Sequence, residues 1–171
     1  MNLNFTEHIP SDFDDNSKVW IYQSSRLFLI NEALQMEEML NDFAANWKSH
    51  GDDVKGYAGL LFGRFIIIMA DETATGISGC STDSSVRMVK LIEQKFNVQM
   101  FNRETLAFVL KDKIELLPLN QLEYAVNNNF INADTLYFNN TVNTKKDLLQ
   151  NWIISLKNSW LVKRLPQLAT P

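Results

Sequence analysis

Between Gly76 and Ser85 the chain reads Gly-Ile-Ser-Gly-Cys-Ser-Thr-Asp-Ser-Ser, gathering two of its six glycines, four serines and its one cysteine. Small hydroxyl residues and glycines ahead of a helix leave backbone amides accessible, and a helix start carries about half a positive charge. Ser78, Gly79, Cys80, Ser81, Asp83, Ser84 and Ser85 are therefore the candidate ligand-binding residues, suited to a phosphate or carboxylate. The same residue types also cap helices and turn a chain sharply off a buried strand, which is their commoner use.

Two catalytic chemistries are open to this segment. Cys80 beside a helix start has its thiolate favoured by the dipole, as a nucleophile or redox sensor requires. No second cysteine is present to resolve an oxidised sulfur, and only His8 and His50 offer an imidazole base. Alternatively Asp71 and Glu72, at the end of an apolar run, and Asp83 across the loop could converge on Mg²⁺ beside a bound nucleotide. Two well-separated histidines and one cysteine give no zinc-ligand spacing, and no cofactor is implied.

The elements that must position these residues follow from periodicity. Val19 to Gln23 is a β-branched and aromatic run of strand length. Ala33, Leu34, Met36, Met39, Leu40, Phe43, Ala44 and Trp47 recur at helical spacing, with Asn31 as cap and Gly51 just past the end. Tyr57 to Phe62 and Phe65 to Ala70 read as a hairpin turning at Gly63-Arg64 with a type II′ geometry. Phe65-Ile-Ile-Ile-Met-Ala lacks alternation and predicts a central strand covered on both faces.

A second helix is marked by Val86, Val89, Ile92 and Phe96. Further strands are predicted at Val98 to Phe101, Thr105 to Lys111, Ile114 to Leu117 and Leu136 to Phe138. Asn120 with Glu123, and Thr144 with Asp147, have capping-box spacing. The second pair opens a long helix with Leu148, Leu149, Trp152, Ile153, Leu156 and Trp160 on one stripe, ending before Pro166. The order predicts a single α+β domain, a mixed or mainly antiparallel sheet packed with about four helices, over residues 19–166. An acidic arm (1–18) precedes it and a short tail (167–171) follows.

Composition bounds the function. A net charge of −4 across 171 residues argues against general nucleic-acid binding. The only basic bias is local: Lys145, Lys146, Lys157, Lys163 and Arg164 stand against Asp147 after position 140, a weak basic face near Trp152 and Trp160. One cysteine, an acidic start without an apolar run, and no stretch of ~20 apolar residues point to a cytoplasmic protein without a membrane span.

Ser78 to Ser85 resembles the pyrophosphate loop of ATP-using adenylating enzymes, Ser-Gly-Gly-x-Asp-Ser, with one extra residue before Asp83 and a gap from Asp71 to Thr75 after the strand. A phosphate loop of the Gly-x-x-x-x-Gly-Lys-Ser/Thr kind is absent. Val19-Trp-Ile-Tyr-Gln-Ser24, Arg64-Phe65, Ser78-Gly-Cys-Ser-x-Asp83-x-Ser85, Phe138-Asn-Asn140 and Lys157-x-Ser159-Trp160 together resemble an uncharacterised family of small bacterial proteins that often carry the label "ABC transporter ATPase". The resemblance spans Val19 to Arg164 and implies no catalytic residues. The reading is a non-enzymatic binding or interaction domain, with a small anionic ligand or a protein as partner. A thiol-dependent enzyme or a nucleotide- and Mg²⁺-dependent enzyme is the alternative.

Overall fold

A computed structural model describes residues 1–49, 51–71, 73 and 79–165, apart from the side chains of residues 79–81. The fold is α+β, with four α-helices and mainly antiparallel pairing among the described residues. The chain divides into two compact units. The larger comprises Asn4–Phe101 and Val142–Leu149; the smaller takes Met1–Leu3, Asn102–Thr141 and the chain from Gln150 onward.

The larger unit carries β1 (Lys18–Gln23), α1 (Ile30–Ala45), the short strands β2 (Lys48–Ser49) and β3 (Asp52–Asp53), β4 (Lys55–Leu61), β5 (Phe65–Asp71) and α2 (Gly79–Phe96). Strand β5 lies between β1 and β4, antiparallel to both, and all seven of its residues are buried. The unbroken apolar run thus forms the predicted central strand. One face, through Ile66, Ile68 and Ala70, joins Ala58 of β4, Met36 and Leu40 of α1, and Val89 and Ile92 of α2 in one core. On the other, Phe5 meets Phe62 edge-on and Phe62 meets Phe65. The N-terminal arm therefore buries Phe5, Ile9 and Phe13 against the body.

Several boundaries differ from the expected ones for physical reasons. Helix α1 starts at Ile30, and Glu32, three residues beyond Leu29, accepts the Leu29 amide at 2.8 Å; Asn31 lies inside the helix instead of capping it. The helix stops at Ala45, so buried Trp47 lies beyond it, and Gly51 (φ 97°) turns β2 into β3. The β4–β5 turn has positive φ at both Phe62 (53°) and Gly63 (60°), and the Arg64 amide bonds the Leu61 carbonyl. That is the sign pattern of a type I′ turn, not the expected II′.

Helix α2 begins seven residues before Val86. It ends in a Schellman motif: Asn97 is left-handed (φ 50°) and the Val98 amide bonds the Glu93 carbonyl. Val98 to Phe101 is not a strand. Val98 and Met100 anchor it in the core, and Gln99 exchanges bonds with Ser25 through both its amide and its carbonyl.

The smaller unit holds β6 (Thr105–Leu110), β7 (Lys113–Pro118), α3 (Leu122–Asn127) and β8 (Leu136–Phe138); α4 (Lys145–Asn151) leads from the larger unit into β9 (Ile153–Ser155). The sheet order is β7-β6-β8-β9. Its core gathers Phe108, Leu122, Ala125, Ile131, Tyr137, Leu156 and Leu161. Lys111 and Asp112 (φ 48° and 59°) make the β6–β7 turn. A 3₁₀ turn, Leu119–Gln121, leads into α3 without a side-chain cap, so the Asn120 capping box does not form.

The largest departure is the last helix. Thr144 does cap α4, its hydroxyl accepting the Asp147 amide at 3.1 Å, but α4 ends at Asn151. The β-branched pair Ile153-Ile154 pairs with Phe138 and Tyr137, and two 3₁₀ turns follow, Leu156–Asn158 and Trp160–Lys163. Sheet pairing prevails over a helical stripe that the β-branched residues favour little.

Candidate functional site

Gly79 to Ser85 form the first two turns of α2 and are not a loop ahead of it. Gly76, Ile77 and Ser78 lie outside the described residues, as do the side chains of Cys80 and Ser81. Helix formation changes what the remaining hydroxyls can do. Ser85 is fully buried and donates to the Thr82 carbonyl at 2.7 Å, a bond back along its own helix. Ser84 accepts from the Arg87 guanidinium at 3.1 Å, and Asp83 is exposed. The Ser85 hydroxyl is therefore turned to its own backbone, while Asp83 is an exposed carboxylate in the second turn of α2.

Asp71 ends β5 and is buried, its side chain 3% exposed. Its carboxylate accepts from Lys55 at 3.1 Å, from the Thr73 amide at 3.0 Å and hydroxyl at 2.8 Å, and from the Asp14 amide at 3.3 Å. Burial pushes this carboxyl up, but the bonds from Thr73, Lys55 and Asp14 outweigh that and hold it at about 2. With both oxygens engaged, Asp71 clasps the arm to the sheet end rather than offering itself to Mg²⁺. Glu72 lies outside the described residues. Among the described residues no three His, Cys, Asp or Glu side chains come together as metal ligands.

Lys55 reaches from Asp71 to the Asp12 carbonyl and carboxylate and lies over the Phe13 ring, while the buried Lys145 ammonium donates to the Ser11 and Phe13 carbonyls. The amides of Lys145 and Lys146 bond the Ser17 and Asp15 carbonyls. The cations of the predicted basic C-terminal face stand in different local settings. Lys145 is inside, Lys157 pairs with Asp134 at 2.7 Å, and Arg164 lies over the Trp160 ring. Trp152 is fully buried, its indole N–H donating to Asn140, whereas Trp160 is 39% exposed.

Among the described residues, several of those that carry the resemblance make bonds that hold the fold. Ser24 and Arg64 clasp each other across the sheet end, the Ser24 amide on the Arg64 carbonyl and the Arg64 guanidinium on the Ser24 carbonyl. The Asn139 amide bonds the Trp152 carbonyl, and Ser159 caps the last 3₁₀ turn through the Leu161 amide. In the smaller unit a cavity of about 460 Å³ is lined by Asn102, Glu104, Thr105, Pro118, Leu119, Asn120 and Arg164, none of them from the Gly76–Ser85 segment.

A different feature emerges at the start of α1. Leu27, Leu29, Ile30 and Leu34 are 53%, 63%, 83% and 60% exposed. In the same segment, Arg26 bonds both Glu32 oxygens at 2.7 and 2.8 Å and the Phe96 carbonyl at 2.7 Å, fixing the first turn of α1 to the end of α2. The bonds from Arg26 and from the Leu29 amide hold the Glu32 carboxyl at about 2. Helical spacing alone groups Leu34 with Met36 and Leu40 as one apolar set. The signal against that was available, because at ~100° per residue Leu34 lies about 160° around the helix from Met36. No helix of the described residues is long and apolar enough to cross a membrane. Comparison with protein-family models, with curated proteins and with solved structures finds no match to this chain.

Proposed function

We propose that this chain is a non-enzymatic binding and interaction protein, and that the start of α1 is its contact surface. The observation that carries the reading is the exposure of four large aliphatic residues between positions 27 and 34, on a segment whose polar groups are fixed by Arg26 and Glu32. Scattered exposed leucines need no explanation; a group on a rigid helix start does. Membership of the small bacterial family resembled by the sequence belongs to this proposal, as does a cytoplasmic setting. The anion-binding part now rests on the backbone amides at the start of α2.

The test is a photo-cross-linking residue at position 34 in cells that make the protein, with Lys90 as an exposed control site, alongside binding of an apolar dye. A discrete adduct at position 34 alone is expected, together with dye fluorescence that falls in Ile30→Gln/Leu34→Gln. Equal cross-linking at both sites, or unchanged fluorescence, sinks the reading.

A second reading, a thiol-dependent enzyme or redox sensor, is favoured by the position of Cys80 in the first turn of an 18-residue helix. Alkylation rate against pH decides it: a thiolate titrating well below the usual ~8.5 supports the reading, and an inert or ordinary thiol ends it.

A further inference from the structure

We infer that the partner of this surface is a basic amphipathic helix; this rests on the reading of α1 as a contact surface. Steps of three and four along α1 align Ile30 and Leu34 with Glu37, Glu38 and Asn41 on one stripe, flanked by Asp42, and Leu29 caps its apolar end. Leu34, Glu37, Glu38 and Asp42 are all exposed, and α1 contains no Lys, Arg or His. The Glu37, Glu38 and Asp42 carboxylates meet no cation among the described residues, unlike Glu32, which Arg26 neutralises. The surface is thus aliphatic at one end and uncompensated acid along the rest.

Area and charge together select the occupant. The four aliphatic residues expose on the order of 300–400 Å² of apolar surface, about half of the ~800 Å² per partner that a stable interface buries. The acidic continuation must supply the remainder. A second copy would bring a stripe with no cation against the same stripe, and an anionic lipid surface would meet the glutamates with like charge. A helix that seats apolar anchors on Leu29, Ile30 and Leu34 and follows them with Lys or Arg satisfies both ends.

The experiment titrates the full chain against a labelled helical leucine–lysine peptide of about 18 residues, a leucine–glutamate peptide of the same pattern and a serine–lysine peptide, read by fluorescence anisotropy. The leucine–lysine peptide is expected to bind at least ~10-fold more tightly than the other two and to weaken as salt rises. Ile30→Gln/Leu34→Gln and Glu37→Gln/Glu38→Gln should each lose ~10-fold, whereas Glu115→Gln/Glu123→Gln, which removes the same charge from exposed sites elsewhere, should stay within ~2-fold.

Equal losses for the two glutamate pairs would mean general charge attraction and overturn the inference. So would unchanged binding in Ile30→Gln/Leu34→Gln, or equal binding of the leucine–glutamate peptide. A wild-type dimer in sedimentation that Ile30→Gln/Leu34→Gln abolishes would make a second copy the occupant; the contact-surface reading would then stand while the basic partner fell. Circular dichroism of each variant confirms that the fold is retained.

Discussion

Asp71 and the start of α1 are opposite solutions to the same problem. Asp71 takes a charge into the protein and surrounds it with four donors, from Lys55, Asp14 and both groups of Thr73. Helix α1 leaves Ile30 and Leu34 in water although Met36 and Leu40, on the same helix, are completely buried. Burial of a carboxylate is tolerated because its bonds are made inside; exposure of leucines is tolerated because the core is complete without them. The difference separates residues that hold the fold from residues available to something outside it.

The comparison is sharpened first within α1. Leu40→Ala should lower stability by about 3 kcal/mol in urea denaturation, because it removes buried methyls and leaves a cavity. A loss below 1 kcal/mol would show that α1 packs loosely, and the contrast with its exposed end would disappear. Asp71→Asn should cost somewhat less, about 2 kcal/mol, because Lys55 is 39% exposed and can turn to Asp12 and water. Protease cleavage within residues 5–17 should rise in the same variant.

The pH dependence follows from the same carboxylate. Its folded pKa of about 2 lies below its ordinary value of 3.8, so the unfolded chain binds more protons between those values. The stabilisation is present in full above about pH 4 and is lost as pH falls towards 2. Glu32, lowered from 4.5 to about 2, acts in the same direction. Asp71→Asn should flatten the acid limb of the stability curve; an unchanged limb would mean that Asp71 is not the group responsible. The smallest effect is expected for Ile30→Gln/Leu34→Gln, within about 0.5 kcal/mol of wild type, since both are exposed and glutamine is a good helix former. A loss above 1 kcal/mol would make these residues part of the core's support and break the comparison.

Much of the architecture was legible in the sequence. The uninterrupted Phe65 to Ala70 run marked the central strand, and the Thr144–Asp147 spacing marked a helix start that the structure bears out. The C-terminal segment departs from the expected helix because Trp152, Ile153, Leu156 and Trp160 fit a helical stripe, while the pairing of Ile153 and Ile154 with β8 depends on partners 15 and 17 residues earlier. Local periodicity carries no information about those partners. The candidate site was less legible. Ser85 and Asp83 read as loop residues, but the helix that encloses them begins at Gly79, where serine and glycine give a weak propensity signal. Asp71 reads from sequence as a strand-end acid, yet its donors come from the arm, from β4 and from Thr73, and only folding brings these together.

The place of β5 between β4 and β1 also sets an order of events. Strand β4 reaches β5 through a tight turn, whereas β1 is separated from β5 by roughly 40 residues that include α1, so closing that loop is the slower step. The β4–β5 hairpin is expected to form first, leaving one edge of Phe65-Ile-Ile-Ile-Met-Ala unpaired, a segment of high strand preference with no charge in it. Until Val19 to Gln23 arrives, that edge can capture a strand from another chain. The fully buried central strand is therefore an aggregation hazard while the chain folds, and slower docking of β1 should appear as aggregation before it appears as lost stability.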